Sequence, residues 1–150
     1  MAEWTAVTEQ TVNPGESIVF TENPVPCTRG LILHREDSGA FLLKGSNGGR
    51  TVRYCPCIGY PRVNYMVDFG ANIAVPTGET VDSISVAFEL QGSTLAGTTM
   101  TVTPAAVEEF FNVSTATNVP VWLGCCESFS IRNVSEIPIL VQNANLVISK

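Results

Sequence analysis

The chain has 150 residues, 45% of them hydrophobic and only 15% charged, a balance that excludes a disordered polymer and can supply a core without disulfide or metal staples. A net charge of −6 with scattered Lys and Arg residues argues against nucleic acid as a partner. No apolar run is long enough for a membrane-spanning helix, so no membrane partner is expected, and Met1 to Thr5 has neither the basic nor the apolar region of a secretory signal.

Residues 1–12 set Trp4, Val7 and Val12 among Thr, Glu and Gln, and read as a first strand, either at a sheet edge or as an arm attaching to another chain. Asn13-Pro14-Gly15-Glu16 is a turn by composition, after which Ile18 and Phe20 alternate with Ser17 and Val19. Pro24 and Pro26 bracket a loop ending at Cys27. Gly30 to His34 reads as a short buried strand, Arg35-Glu36-Asp37-Ser38-Gly39 as a charged hairpin turn, and Phe41 and Leu43 as the return strand. Residues 45–62 lose this alternation. Their Gly, Ser and Asn content, followed by Tyr54-Cys55-Pro56-Cys57, predicts a surface loop excursion, either a binding loop or a mere connection.

The clearest pattern runs from Val63 to Leu90. Val63, Tyr65, Val67, Phe69, Ala71, Ile73 and Val75 recur with a period of two, with Asn64, Asp68, Gly70 and Asn72 between them and only Met66 and Ala74 out of pattern. That is a strand with one dry and one wet face. Pro76-Thr77-Gly78-Glu79 breaks the run, and Ile84, Val86, Phe88 and Leu90 then alternate with Ser83, Ser85, Ala87 and Glu89. Met100 and Val102 follow in phase. Thr103-Pro104 suits a helix start, predicting at most two turns up to Phe111. Alternation returns from Phe111 to Leu123 and at Phe129 and Ile131. It returns again from Ile137 to Ile148, where a phase switch at Gln142-Asn143 predicts a bulge. About ten short strands with frequent turns give an all-β fold, an antiparallel β-sandwich jelly roll. With no repeat or linker, residues 1–150 read as one domain.

Chemical signals are sparse. The five cysteines (Cys27, Cys55, Cys57, Cys125 and Cys126) are an odd count, and Cys-Pro-Cys and Cys-Cys are poor geometries for local disulfides. Reduced thiols, disulfides formed in an oxidising setting and a zinc site all remain open. His34 is the single histidine, and a nucleophilic triad would need it beside Asp37 or Asp68. Glu108-Glu109 could supply paired carboxylates for glycosidic cleavage, and Asn112-Val113-Ser114 and Asn133-Val134-Ser135 match the glycosylation pattern. None of these forms a convergent set. No catalytic, cofactor-binding or metal residue is assigned, no cofactor is expected, and the chain reads as no enzyme.

Several stretches carry a resemblance: Asn13-Pro14-Gly15 before Ile18 and Phe20, Tyr65 to Phe69, Ile84 to Leu90, Leu123-Gly124 before Phe129-Ser130-Ile131, and Ala144 to Ile148. Together they resemble the tumour necrosis factor and complement-q type of jelly roll. The chain also looks similar to virion structural proteins of tailed phages and prophages, and to C-terminal domains of collagen-like spore-surface glycoproteins. A Gly-X-Y stalk is absent here, and the Cys-Pro-Cys excursion is an addition. The resemblance implies a homotrimer, which would also account for the low charge. It implies a virion structural role, most simply a capsid decoration (head auxiliary) protein of a bacteriophage, assembled in the host cytoplasm. Its partners would be itself and the major capsid protein or another virion protein. The alternatives are a host-surface binding module of a phage fibre, reading glycan or protein through Trp4, Trp122, Tyr54 or Tyr60, and a bacterial spore-surface component.

Overall fold

In strand β6 (Arg62–Ala74), Tyr65, Val67, Phe69, Ala71 and Ile73 all point into the core, while Asn64, Met66 and Asp68 point to solvent. The computed structural model describes residues 1–28, 30–45, 62–122 and 126–150. The expected loop excursion and its Cys-Pro-Cys motif therefore fall almost wholly outside the described residues. Besides β6 these contain β1 (Ala2–Ala6), β2 (Gln10–Val12), β3 (Glu22–Val25), β4 (Ile32–Arg35), β5 (Ala40–Lys44), β7 (Ile84–Leu90), β8 (Ser93–Thr94), β9 (Met100–Val102), β10 (Phe111–Trp122), β11 (Cys126–Asn133) and β12 (Ile139–Ser149).

Two antiparallel sheets face each other. One runs β10-β6-β12-β1-β3, with β2 also on β12, and the other runs β4-β5-β11-β7-β8, with β9 also on β7. The two most regular strands, β6 and β7, lie in different sheets, and Phe69 meets Phe88 across the core at 6.2 Å between ring centroids. The expected core residues Tyr65, Val67, Phe69, Ile73, Ile84, Val86, Phe88, Phe129 and Ile131 are all buried. The phase switch in the last strand is a bulge, with the register against β6 shifting between Gln142 and Asn145 and Asn143 at φ +50°.

The charged hairpin joins β4 to β5 as expected, and its glycine is obligatory. Gly39 has φ +63°, and a Cβ there would lie 2.1 Å from the Ile18 carbonyl oxygen. At one end of the sandwich Asn133 binds the two sheets together. Its buried carboxamide donates to the carbonyls of Val12 (3.0 Å) and Ile137 (2.9 Å) and accepts from the Ser135 N–H (2.8 Å).

Three expectations change. Residues 2–6 are no edge or free arm, because β1 is paired on one side with β12 and on the other with β3. No helix forms between Thr103 and Phe111. The Glu109 carboxylate instead accepts the Ala105 N–H at 2.8 Å, and Glu108 turns to φ +58° to donate its N–H to Val75. The one short helical turn among the described residues is a 3-10 turn at Ala96–Thr98. Ser130 and Glu89 lie on the side expected to be wet, yet both are buried. They are cross-strand neighbours, and Arg132 Nε lies 2.9 Å from the Glu89 carboxylate, although its N–H is not aimed along that contact.

Two substitutions on β7 and β11 test this phase. Phe88→Ala should lower unfolding stability by about 3–5 kcal/mol through the cavity it leaves. Ser128→Ala, on the exposed side of β11, should change it by no more than about 0.5 kcal/mol. Denaturant midpoints that did not separate the two would contradict the register.

Candidate interaction surface and an inter-sheet hollow

The outward face of the first sheet is built from every second residue of its strands. Register places Arg62 beside Trp122, Asn64 beside Pro120, Met66 beside Asn118, Asp68 beside Ala116, and Gly70 beside Ser114. On the other flank of β6, Ser149, Val147 and Asn145 continue the same rows. The face is mainly amide, hydroxyl and small apolar groups, with Met66 40% exposed at its middle. Because Gly70 lacks a side chain, the face dips beside it into a shallow hollow of about 300 Å³, lined by Asp68, Ser114, Ala116 and Asn145 among others. At one end the Arg62 guanidinium lies 4.1 Å from the centre of the Trp122 ring.

Strand β10 bounds this face. It runs twelve residues, from Phe111 to Trp122, and carries no charged side chain. Among the described residues it pairs with β6 on one side and with no strand on the other. Edge strands in soluble proteins are usually short or guarded by charge or proline, and here Pro120 is the sole such guard.

The opposite margin of the sandwich is different. Between β3 and β4 lies a hollow of about 260 Å³, lined by Trp4, Phe20, Ile32 and His34, with Glu22 and Glu36 among its polar lining. His34 stacks on Phe41 at 4.5 Å and 19°, with Trp4 and Phe20 at 6.1 and 6.5 Å. Its Nε2 is buried and has no hydrogen-bond partner. Burial lowers the His34 pKa, opposed by the nearby negative charge of Glu36.

The residues weighed for chemistry in the sequence do not converge. His34 points inward from β4, whereas Asp68 stands on the outward face of the other sheet and Asp37 in the exposed hairpin turn. Glu108 and Glu109 are committed to the local turn described above. Asn133 of the second glycosylation pattern is inaccessible, while Asn112 of the first is exposed beside Asn72. Trp4 is core, 2% exposed, and Tyr54 and Tyr60 lie outside the described residues. Cys27 is half-buried and Cys126 exposed, and Cys55, Cys57 and Cys125 lie outside the described residues. No group of three or more His, Cys, Asp or Glu side chains suited to a metal occurs among the described residues. Sequence reasoning missed the hollow, because β3 and β4 meet only through the fold. The bare edge was legible in principle as twelve residues without charge.

No protein-family model matches this chain, and no curated protein matches it. Among solved structures it is similar to the globular domain of zebrafish complement 1qA, with a TM-score of 0.52 at 9% identity over 97% of this chain and 94% of that one. The similarity is one of fold, and it agrees with the jelly roll of the complement-q and tumour necrosis factor type.

Because folding lowers the His34 pKa below its ordinary 6.5, the unfolded chain takes up that proton first. The His34 contribution is therefore fully present above the ordinary histidine range and is lost as pH falls through the depressed folded value. Between about pH 7 and 5 the wild-type unfolding midpoint should fall, and His34→Phe should flatten that part of the profile. Identical slopes for both proteins would remove His34 as the cause.

Proposed function

We propose that this chain is a non-enzymatic structural module, a homotrimeric capsid decoration protein of a tailed phage, assembled in the host cytoplasm and retained on the virion. The observation that carries the trimer is the uncharged edge of β10 together with the low-charge face beside it. A twelve-residue edge without charge is an aggregation hazard on a free monomer and a natural seam in a closed assembly. Burying Met66, Ala116, Val147 and the hollow beside Gly70 against a second and third copy would remove apolar area from water at about 25 cal/mol per Å², before association costs. The fold similarity to a complement-q globular domain is compatible with this reading. The proposed attachment to a capsid rests on the resemblance to phage structural proteins noted for the sequence. Host-surface recognition through aromatic side chains has less support, since Trp4 is core and the Trp122 ring is covered on one side by Arg62.

Light scattering of the purified protein should give three times the 16.1 kDa chain mass. Ala116→Arg on β10 should yield a folded monomer with an unchanged circular-dichroism spectrum. A wild-type mass of one chain at micromolar concentration would overturn the trimer. Saturable co-sedimentation with phage heads stripped of decoration is expected, and its absence with a trimer confirmed would remove the capsid role alone.

A further inference from the structure

We propose that the hollow between β3 and β4 binds a small primary alkylammonium group. Its lining is a set of aromatic faces and hydrogen-bond acceptors. Trp4, Phe20 and Ile32 offer an apolar floor, His34 a wall, and Glu22 and Glu36 two carboxylates, with no Lys or Arg among the described lining residues. Asn23 is fixed at the rim by its amide nitrogen, which in the orientation that satisfies its neighbours donates to the carbonyls of Glu3 (2.8 Å) and Val25 (3.0 Å). An anion would meet two like charges here and, among the described lining residues, no Lys or Arg to offset them. A cation with a short apolar stem meets apolar and aromatic side chains for its stem and carboxylates for its N–H groups.

His34 separates this hollow from an ordinary gap between sheets. An inward position stacked on Phe41 and facing Trp4 would hold an aliphatic residue if packing were its only duty. The imidazole instead leaves a buried Nε2 without a partner, an arrangement that costs stability unless something uses it. No hydrogen bond among the described residues holds the ring, so a half-turn preserves its stack on Phe41 while exchanging Nε2 with Cε1. As a neutral base it accepts a hydrogen bond from an ammonium and does not repel it, consistent with a pKa held down by burial. The volume of about 260 Å³ is smaller than drug-sized sites. It suits a stem of a few carbons and excludes a folded peptide or a sugar chain.

The test is a titration of the intact protein with n-butylammonium, followed by the Trp4 indole N–H and the His34 imidazole in NMR spectra. A saturable shift with a dissociation constant in the millimolar range is expected. n-Butanol, butyrate and butyltrimethylammonium should fail to reproduce it, since each lacks either the charge or the N–H donors. The double variant Glu22→Gln, Glu36→Gln should bind about tenfold more weakly or worse. His34→Phe should abolish binding while the protein stays folded, and Glu16→Gln, outside the hollow, should leave it unchanged. Acidification should weaken wild-type binding, because protonated His34 adds positive charge to a wall otherwise facing Glu22, Glu36 and Cys27. Nα-acetyl-lysine methylamide separates the sources of the amine. Binding equal to butylammonium assigns a lysine side chain of a partner, and binding of butylammonium alone assigns a free amine. No saturation by either up to about 100 mM, an equal response to butanol, or wild-type affinity in the double Gln variant would each overturn the proposal.

Discussion

A row of aromatic rings holds this sandwich at its spacing. Phe69 of β6 touches Phe88 of β7, Phe88 lies 5.1 Å from Phe129 of β11, Phe129 lies 6.4 Å from Phe41 of β5, and Phe41 meets Trp4 of β1 at 4.9 Å. The row crosses one sheet from strand to strand and is met at both ends by a ring from the other. Edge-on and tilted contacts of this kind add to plain burial, and they tolerate little change in distance. Since side chains alternate along each strand, a slip of one residue in any of these strands would send its ring to water. The same slip would bring Asp68 of β6 or Ser128 of β11 toward the dry layer. Sheet register, strand phase and sandwich thickness are thus one constraint. His34 stands at the end of this row, which is why an imidazole so placed has stacking neighbours and no hydrogen-bond partner.

Much of this was legible because period-two alternation is a local property. Tyr65 to Ile73, Ile84 to Phe88, and Phe129 with Ile131 revealed their dry sides without knowledge of any neighbour. The bulge at Gln142-Asn143 was legible for the same reason, as a break in phase. What failed depended on distant partners. Thr103-Pro104 resembles a helix start, but the Val75 carbonyl captures the Glu108 N–H that a helix would aim at Pro104. Ser130 and Glu89 look like wet-face residues, and only the pairing of β7 with β11 sets them side by side and brings Arg132 to the Glu89 carboxylate. Asn133 reads as part of a glycosylation pattern until Val12, over a hundred residues earlier, supplies its acceptor. The hollow beside His34 belongs to two strands in different sheets and has no sequence signature.

The margins of the molecule are treated unequally. On the β3 side, Pro24 removes a donor from the edge and Glu22 places charge there, while β4 is only four residues long. On the β10 side the edge is long, straight in phase and free of charge. Both margins carry the same general hazard and a proline, yet only the β3 margin is guarded by charge. The guarded margin keeps a small, acidic, aromatic-lined opening, and the bare one offers an extended backbone and a flat amide-rich face. Those are surfaces of different kinds, one scaled to a few atoms and the other to another folded chain.

The pairing of β1 with β12 sets the order in which the molecule can be completed. Ala2 lies opposite Ile148 and Ala6 opposite Ala144, so β1 gains its main neighbour only once β12 has been synthesised. Until then β6 lacks β12 as well, and the first sheet exists as β10 on β6 at one end and β1 on β3 at the other. Closing such a long loop is slow compared with forming the β4–β5 hairpin. The growing chain must therefore carry an unfinished sheet until β12 emerges, with the seats of Leu146 and Ile148 open to water. Chaperone demand and the yield of the protein at high expression temperature are where that delay would be felt first.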